Sequence, residues 1–370
     1  MCERGWIINP RNGFHRDLSV PHPTVLGMDL LPDTRFADLL TRLRTADFRA
    51  CTRADMDRAC RTLGGTFASD GSVDIPGVPD GAHTFGDDDP YNDTESCRQF
   101  FLPVARIEPE HFRTYLDRAI AAWGEPSWYS GLSADLDVGW VDGPTLYTLE
   151  LAADGDLAVS IRSTEVDANR RWWNWKTQYH YPEFIDEDEW APTDEHDLEH
   201  TSADDYEIDY TWSSGPAGRG SEIWSVYTLA HLRGVLTDLL SSVHLAMRAL
   251  GPGADPLAVD FYDPEESPDR HVRLELSLTE IRVLVATTEA TRAHLLALGF
   301  HDAADGIALR TWPAASTDAR VVATVVAVLL QRLGLGTEDL IMNTSGDPLA
   351  IPDFSVDLDV DLIDDDDEDE

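Results

Sequence analysis

The sequence predicts an α+β protein of two domains, each an antiparallel sheet with packed helices, joined by an acidic linker. Three observations carry that prediction. Apolar residues alternate in paired runs near 146–163 and 271–286, the mark of hairpins with one buried face. Stripes of helical period lie before and after those runs. A break in composition over 167–221 separates the halves. At 370 residues the chain is long enough for two domains, and 42% hydrophobic content can fill two cores.

Residues 1–30, with prolines at 10, 21 and 23, read as a flexible N-terminal arm. Met28 resembles a native start, which would make the first 27 residues an upstream extension. The N-terminal domain is expected over 31–166. Phe36, Leu39, Leu40 and Leu43 have helical spacing, with Asp33 or Thr34 as cap. Thr52 and Asp55 form a capping box in which Asp replaces the usual Glu. Met56, Cys60 and Leu63 follow on one face, and Gly64-Gly65 stops the helix. Residues 65–98 are rich in Gly, Asp and Pro and predict a long loop with at most one short strand. A strand is expected over Phe100–Ile107. A helix follows Pro109, striped by Phe112, Tyr115, Leu116, Ala119, Ile120 and Trp123 and closed by Gly124. Strands near 136–141, 145–151 and 156–163 complete the domain, the last two joined by a turn at Asp154-Gly155.

The C-terminal domain is expected over 222–345. Its long first helix, about 226–250, is apolar at Leu229, Leu232, Leu236, Leu239, Leu240, Val243, Met247 and Leu250. A strand near 256–262 precedes the clearest pattern in the chain. Val272, Leu274, Leu276 and Leu278 alternate with Arg273, Glu275 and Ser277, and Ile281, Val283 and Val285 repeat the alternation. Only Thr279-Glu280 separates the two runs, which predicts a tight hairpin. Thr287 or Thr288 then caps a helix that Gly299 ends. A strand at Ile307–Trp312 leads to a last helix at 317–333, apolar nearly all round and so expected to be buried between layers. Residues 346–370 read as a disordered acidic tail. The hairpins at Leu146–Glu165 and His271–Leu298 share Leu-Glu-Leu and a closing Thr-Glu, which raises two readings: chance likeness of hairpins, or two related domains.

The formal charge is −41, unevenly spread: Glu183–Asp209 holds thirteen acids and Asp353–Glu370 eleven, together 24 of 69. Such a chain repels nucleic-acid phosphates and anionic bilayers, and attracts basic proteins or peptides. Solubility is the plainer explanation of much of this charge. The most apolar run, Val321–Leu330, is too short to cross a bilayer. Cys2, Cys51, Cys60 and Cys97 form no CxxC pair, and with no signal-like N-terminus they suggest reduced thiols and a cytoplasmic protein.

Two stretches bear on chemistry. His196, Glu199 and His200 match HxxEH, in which two His on one helical face bind zinc and the Glu acts as base. The flanks are acidic and almost without apolar residues, so no packed helix would hold the ligands rigidly, and chance spacing is favoured over metal binding. Trp172, Trp173, Trp175 and Tyr179 cluster with Arg170, Arg171 and Lys176. Core packing or a cover over the sheet is the favoured reading, ahead of a protein-docking surface, with nucleic acid last. There is no GxSxG elbow, phosphate loop or dinucleotide fingerprint. No catalytic residue and no cofactor are expected.

The long helix, the Leu-Glu-Leu hairpin, His294–Phe300 (HLLALGF), Trp312 and the LGLGTEDL after the last helix make residues 222–342 resemble the YbjN-like, type III secretion chaperone superfamily, in its actinobacterial peptide-binding chaperone branch. That resemblance implies an α+β fold and binding of peptide or partner segments, with no catalytic residues. Residues 33–165 resemble an actinobacterial domain family to which no activity attaches, through the paired first helices, AAWGEP, and TLEL followed by GDLAVSI. The expected function is therefore a non-enzymatic protein- or peptide-binding protein, a chaperone or adaptor for secreted or toxin-like clients. The alternatives are an immunity protein that neutralises a basic toxin by charge mimicry, and a metal-dependent hydrolase using the HxxEH segment.

Overall fold

A computed structural model describes residues 33–49, 51–68, 72–78, 83–86, 97–130, 136–164, 229–263, 271–303, 306–335 and 340–351. The N-terminal arm, the 167–221 linker and the acidic end beyond 351 lie outside the described residues. The described chain is α+β and contains two six-stranded sheets with helices packed against them. The chain divides into two compact units, and the division is not a single cut. Met1–Ile107, Thr114–Gly124 and Gly139–Asp209 form one unit; Glu108–Arg113, Glu125–Val138 and Tyr210–Glu370 form the other.

The first sheet is preceded by helices α1 (Asp33–Thr45) and α2 (Arg53–Thr62). Phe36, Leu39, Leu40 and Leu43 are all buried, as their spacing predicts. Between the helices, Asp47, Arg49 and Cys51 hold left-handed φ angles of 54°, 51° and 58°. Such angles cost energy in residues with a Cβ, and persist where tertiary contacts over-determine them. Three contacts do so here. Phe48 is fully buried against Phe100, Thr145 donates to the Arg49 carbonyl at 2.9 Å, and Arg58 donates to the Asp47 carbonyl at 3.0 Å. The capping box forms as expected: Thr52 Oγ1 accepts from the Asp55 N–H at 3.2 Å, and the Asp55 carboxylate accepts from the Thr52 N–H at 3.3 Å.

The reading of 65–98 as a loop with at most one short strand needs correction. β1 (Thr66–Phe67) pairs with β2 (Val73–Asp74), and β3 (His83–Gly86) pairs with β4 (Cys97–Arg106). Strands of two to four residues leave no periodic signal among Gly, Asp and Pro; their partners define them. A single 3₁₀ turn opened by Pro109 leads into α3 (Phe112–Trp123), which Gly124 ends at φ 89°. Four strands follow: β5 (Trp128–Ser130), unanticipated, then β6 (Leu136–Asp142), β7 (Thr145–Leu151) and β8 (Asp156–Ser163). The sheet order is β3-β4-β8-β7-β6-β5. Trp123 ties α3 to both neighbours. Its indole N–H donates to the Leu40 carbonyl at 3.0 Å, and its ring meets Trp140 edge-on at 5.1 Å and Tyr147 at 5.2 Å. The β7–β8 turn requires Gly155, at φ 91°, because a Cβ there would lie 2.5 Å from the Ile107 carbonyl oxygen.

The second sheet is preceded by α4 (Leu229–Leu250) and opens with a meander of β9 (Leu257–Tyr262), β10 (Val272–Leu276) and β11 (Glu280–Ala286). Then come α5 (Glu289–Ala297), β12 (His301–Asp302), β13 (Ile307–Pro313), α6 (Ala319–Leu333) and β14 (Ile341–Ser345), in the sheet order β12-β13-β11-β10-β9-β14. The hairpin turn is one residue earlier than expected. The Ser277 N–H donates to the Glu280 carbonyl at 2.9 Å, so Leu278-Thr279 is the two-residue loop and Leu278 leaves the buried alternation. Its carbonyl instead accepts from His244 Nε2 on α4 at 3.3 Å. Burial lowers the His244 pKa, against the opposing effect of that hydrogen bond. Thr288 is the cap of α5, with Thr291 rather than a Glu completing the box. Leu295 and Phe300 are buried, and Arg310 stacks over Trp312 at 4.4 Å while donating to the Leu298 carbonyl, which fixes the end of α5.

Helix α6 packs on α4 and on β10, but not with its whole circumference. Val321 is 46% exposed, so the expectation of all-round burial is corrected to a buried face of Val322, Ala323, Val326, Leu329 and Leu330. A tail beginning at 346 is corrected as well. Leu349 and Ile351 are buried, Leu349 bridges Pro252, and the Ala350 N–H donates to the Gly251 carbonyl at 3.1 Å. Gly346, at φ 106°, makes this close pairing feasible, since a Cβ would lie 2.0 Å from the Pro256 carbonyl. The two hairpins that look alike in sequence sit at the same place in their sheets. Each is joined, through its second strand, to a two-stranded edge pair: β4-β3 beside β8, and β13-β12 beside β11. In the first sheet that edge pair precedes the hairpin in the chain; in the second it follows, so a plain tandem copy does not describe them.

Burial alone would raise the Asp55 carboxyl, but the hydrogen bonds from Thr52 and Arg58 outweigh it and hold the pKa below the usual value. A lowered folded pKa stabilises above the unfolded value of about 3.9, and that contribution is lost as pH falls through the folded value. Asp55→Asn is therefore expected to cost about 1–2 kcal/mol at neutral pH. The difference from wild type should shrink in urea melts run below pH ~4. A cost that does not change with pH would contradict this.

Candidate functional site

The alternation of β10 and β11 divides the second sheet sharply. Val272, Leu274 and Leu276 pair with Val285, Val283 and Ile281 on the face that α4 and α6 cover. The residues between them point the other way, onto a face that stays partly open. There Arg273 lies between Asp260 of β9 and Glu275 of its own strand. Its guanidinium donates to Asp260 at 3.0 and 3.3 Å and to Glu275 at 2.9 Å. Glu275 accepts from Arg282 at 3.2 Å, Arg282 also lies 3.8 Å from Glu280, and His271 Nε2 is 2.8 Å from Asp260. A ladder of alternating charge thus runs obliquely across three strands. The central carboxylates, Asp260 and Glu275, are only 15% exposed, and the arginines that cover them are 37% and 39% exposed. Burial works against the Arg273 charge, but the two carboxylates more than offset it and hold its pKa above the ordinary value.

Beside the ladder this face carries polar Thr311, Asn343 and Ser345 and a set of apolar residues. Leu284 faces Leu309 across β11 and β13, Ala286 faces Ile307, and Tyr262 faces Ile341 across β9 and β14. Ile307 is 36% and Ile341 40% exposed, two of the four large apolar residues on the described surface that are this open. The other two, Leu296 and Val321, belong to helices α5 and α6. The sequence makes Arg273, Glu275 and Arg282 legible as the wet side of a hairpin. It does not reveal Leu284, Ile307, Leu309 or Ile341 as their neighbours, because an apolar residue on the wet side breaks the alternation and only the register of β13 and β14 aligns them.

The first sheet offers a different polar group. Thr148, Ser160 and Arg162 lie on the face of β7 and β8 opposite Tyr147, Leu149, Val159 and Ile161, yet all three are buried. Ser160 donates to the Glu150 carboxylate, and Arg162 lies 3.9 Å from it. The Thr148 hydroxyl is buried without a hydrogen-bond partner. A simple hairpin alternation predicts this face to be wet, and both faces prove to be buried.

Trp172, Trp173, Trp175 and Tyr179 lie outside the described residues, as do His196, Glu199 and His200. Among the described residues there is no cluster of three or more His, Cys, Asp or Glu side chains placed to hold a metal ion, and no helix is long and apolar enough to cross a membrane. Cys51 and Cys60 are buried. Comparison of the chain with protein-family models, with curated proteins and with solved structures finds no match.

Removing Arg273 leaves two largely covered carboxylates short of a partner, whereas removing Arg282 leaves Glu275 still held by Arg273. Arg273→Ala is expected to cost about 1–3 kcal/mol and Arg282→Ala under about 1 kcal/mol. Chemical denaturation of the two variants tests the order, and a larger loss for Arg282→Ala would refute the ladder as described.

Proposed function

We propose that this chain is a protein- or peptide-binding protein, a chaperone or adaptor for secreted or toxin-like clients, with the open face of its C-terminal sheet as the docking surface. The observation that carries the reading is the division of labour on that face. Its charged groups already satisfy one another, so a partner that covers them need not leave an unpaired charge buried, which is the costly event at interfaces. Its apolar groups, led by Leu284, Leu309, Ile307 and Ile341, are free to contribute about 25 cal/mol per Å² of apolar surface they bury. The resemblance of 222–342 to peptide-binding chaperones points the same way.

The chain's charge of −41 adds long-range attraction for basic clients and raises the rate of encounter more than the final affinity. The same charge favours a second reading, an immunity protein that occupies a basic toxin by charge mimicry. The two differ in where the affinity resides. A chaperone face binds through apolar contact, while mimicry binds through charge and weakens steeply with salt.

A peptide array spanning basic, neutral and acidic sequences, probed with the full chain, tests the first reading. Peptides that bind should lose at least about tenfold in affinity on Leu284→Ser/Leu309→Ser, which removes apolar contact from the centre of the face. Val321→Ser, on the helical layer, should leave binding unchanged. Equal binding by the double variant, in a chain that still melts cooperatively, would remove the open face from the account. Affinity lost entirely at high salt would favour the immunity reading.

A further inference from the structure

Among the described residues the two six-stranded sheets end in four outer strands, and three of these are blunted against pairing with a further strand. β12 is two residues long, β5 is three, and β3 shifts register between Phe85 and Gly86. Short edges and bulges keep a sheet from recruiting other chains, as do charges and prolines on the edge. β14 has none of these devices. Ile341, Met342, Asn343, Thr344 and Ser345 pair with β9 without a register shift, and no charge or proline lies among them. Ile341 is also one of the exposed large apolar residues.

The border of the sheet is longer than β14 itself. Past Gly346 the chain continues antiparallel to the residues that precede β9. The Asp255 N–H donates to the Asp347 carbonyl at 3.2 Å, the Gly253 N–H to the Pro348 carbonyl at 2.9 Å, and the Ala350 N–H to the Gly251 carbonyl at 3.1 Å. Leu349 and Ile351 are buried there. Residues 341–350 thus form one continuous border, about 30 Å long.

The sequence that follows has the pattern of a strand. Phe354, Val356, Leu358, Val360 and Leu362 alternate with Ser355, Asp357, Asp359 and Asp361. A period of two gives this run one apolar face and one carboxylate face, and extended it spans about 30 Å, the length of the border. Pro352-Asp353 supplies turn chemistry between Ile351 and the run. Proline presets the first central position of a type I turn, the turn around which hairpin loops of four or five residues are most often built. Asp357, Asp359 and Asp361 would be destabilising opposite further acids. β14 alone among the described strands of its sheet carries no charged side chain, so it is the neighbour that accepts them.

We infer that residues 354–362 fold back on residues 341–350 as a further, antiparallel strand of the second sheet. The aspartates then stand on the new outer strand and supply the charged edge that β14 lacks. The pairing concerns the border of the sheet, so it and docking on the open face stand or fall separately.

Hydrogen exchange of the full chain, resolved to single residues, reads this pairing. Alternate amides of 354–362 should exchange at least about a hundredfold more slowly than in an unstructured chain, because every second N–H of an outer strand points at its neighbour. Residues 364–370 should exchange at the unstructured rate. Leu358→Pro breaks the strand at its centre. It should abolish the protection of 354–362 and speed exchange of 341–345 at least about tenfold, with β10 and β11 still protected and the melting transition still cooperative. Asp366→Pro, beyond the run, should change neither. Exchange of 354–362 at the unstructured rate in the unaltered chain would overturn the inference, as would protection that ignores Leu358→Pro. Protection lost from 354–362 in that variant with 341–345 unaffected would overturn it too, because the run would then pair elsewhere. Protection that appears only as concentration rises, with dimers in sedimentation, would overturn it in favour of a strand exchanged between two copies.

Discussion

The register between β10 and β11 is the constraint on which the second unit depends. Side chains alternate along a strand with a period of two, so a slip of one residue would exchange the faces. Val272, Leu274 and Leu276 would meet water, and Arg273 and Glu275 would enter the core beneath α4 and α6. Neither outcome is tolerable energetically, and both penalties select the same pairing. Because β9 and β13 pair on either side with β10 and β11, that register also decides what lies on the open face. Asp260 meets Arg273 through the β9–β10 register, and Leu284 meets Leu309 through the β11–β13 register, both on the face that the β10–β11 pairing leaves open.

The charge ladder and the apolar positions are parts of one solution. A sheet face left without a helix must either be polar or be a liability for association. Here the polar groups gather into a connected chain from His271 through Asp260, Arg273 and Glu275 to Arg282. Concentrating the charge in this way leaves Leu284, Leu309, Ala286 and Ile307 as neighbours beside it. The first sheet resolves the same requirement differently. It buries both faces of the β7–β8 hairpin, with Ser160 donating to Glu150 and Arg162 3.9 Å from the same carboxylate.

Much of the architecture is legible in the sequence because the relevant signals are local. The stripe of Phe36, Leu39, Leu40 and Leu43, the Thr52–Asp55 box, the stop at Gly124 and the alternations of Val272–Leu276 and Ile281–Val285 each depend on residues a few positions apart, and each appears where expected. What was not legible depends on distant pairing. β1, β2, β3, β5 and β14 are short and defined by their neighbours, and the C-terminal segment through Ile351 is held by contacts near Gly251, about a hundred residues earlier. The apolar positions of the open face are invisible for the same reason. Ile307 and Ile341 come from strands that alternate imperfectly, and only the sheet order brings them to one face with Tyr262 and Ala286. The tryptophan cluster stands out in composition, but composition assigns no position in a fold.

Methyl-resolved NMR of the full chain, titrated with an array-selected peptide, tests the central claim most directly. The methyl groups of Ile307, Ile341, Leu284 and Leu309 should shift, while those of Leu296 and Val321, more exposed but on the helices, stay in place. Shifts confined to Leu296 and Val321 would move recognition to the helical layer and contradict the account.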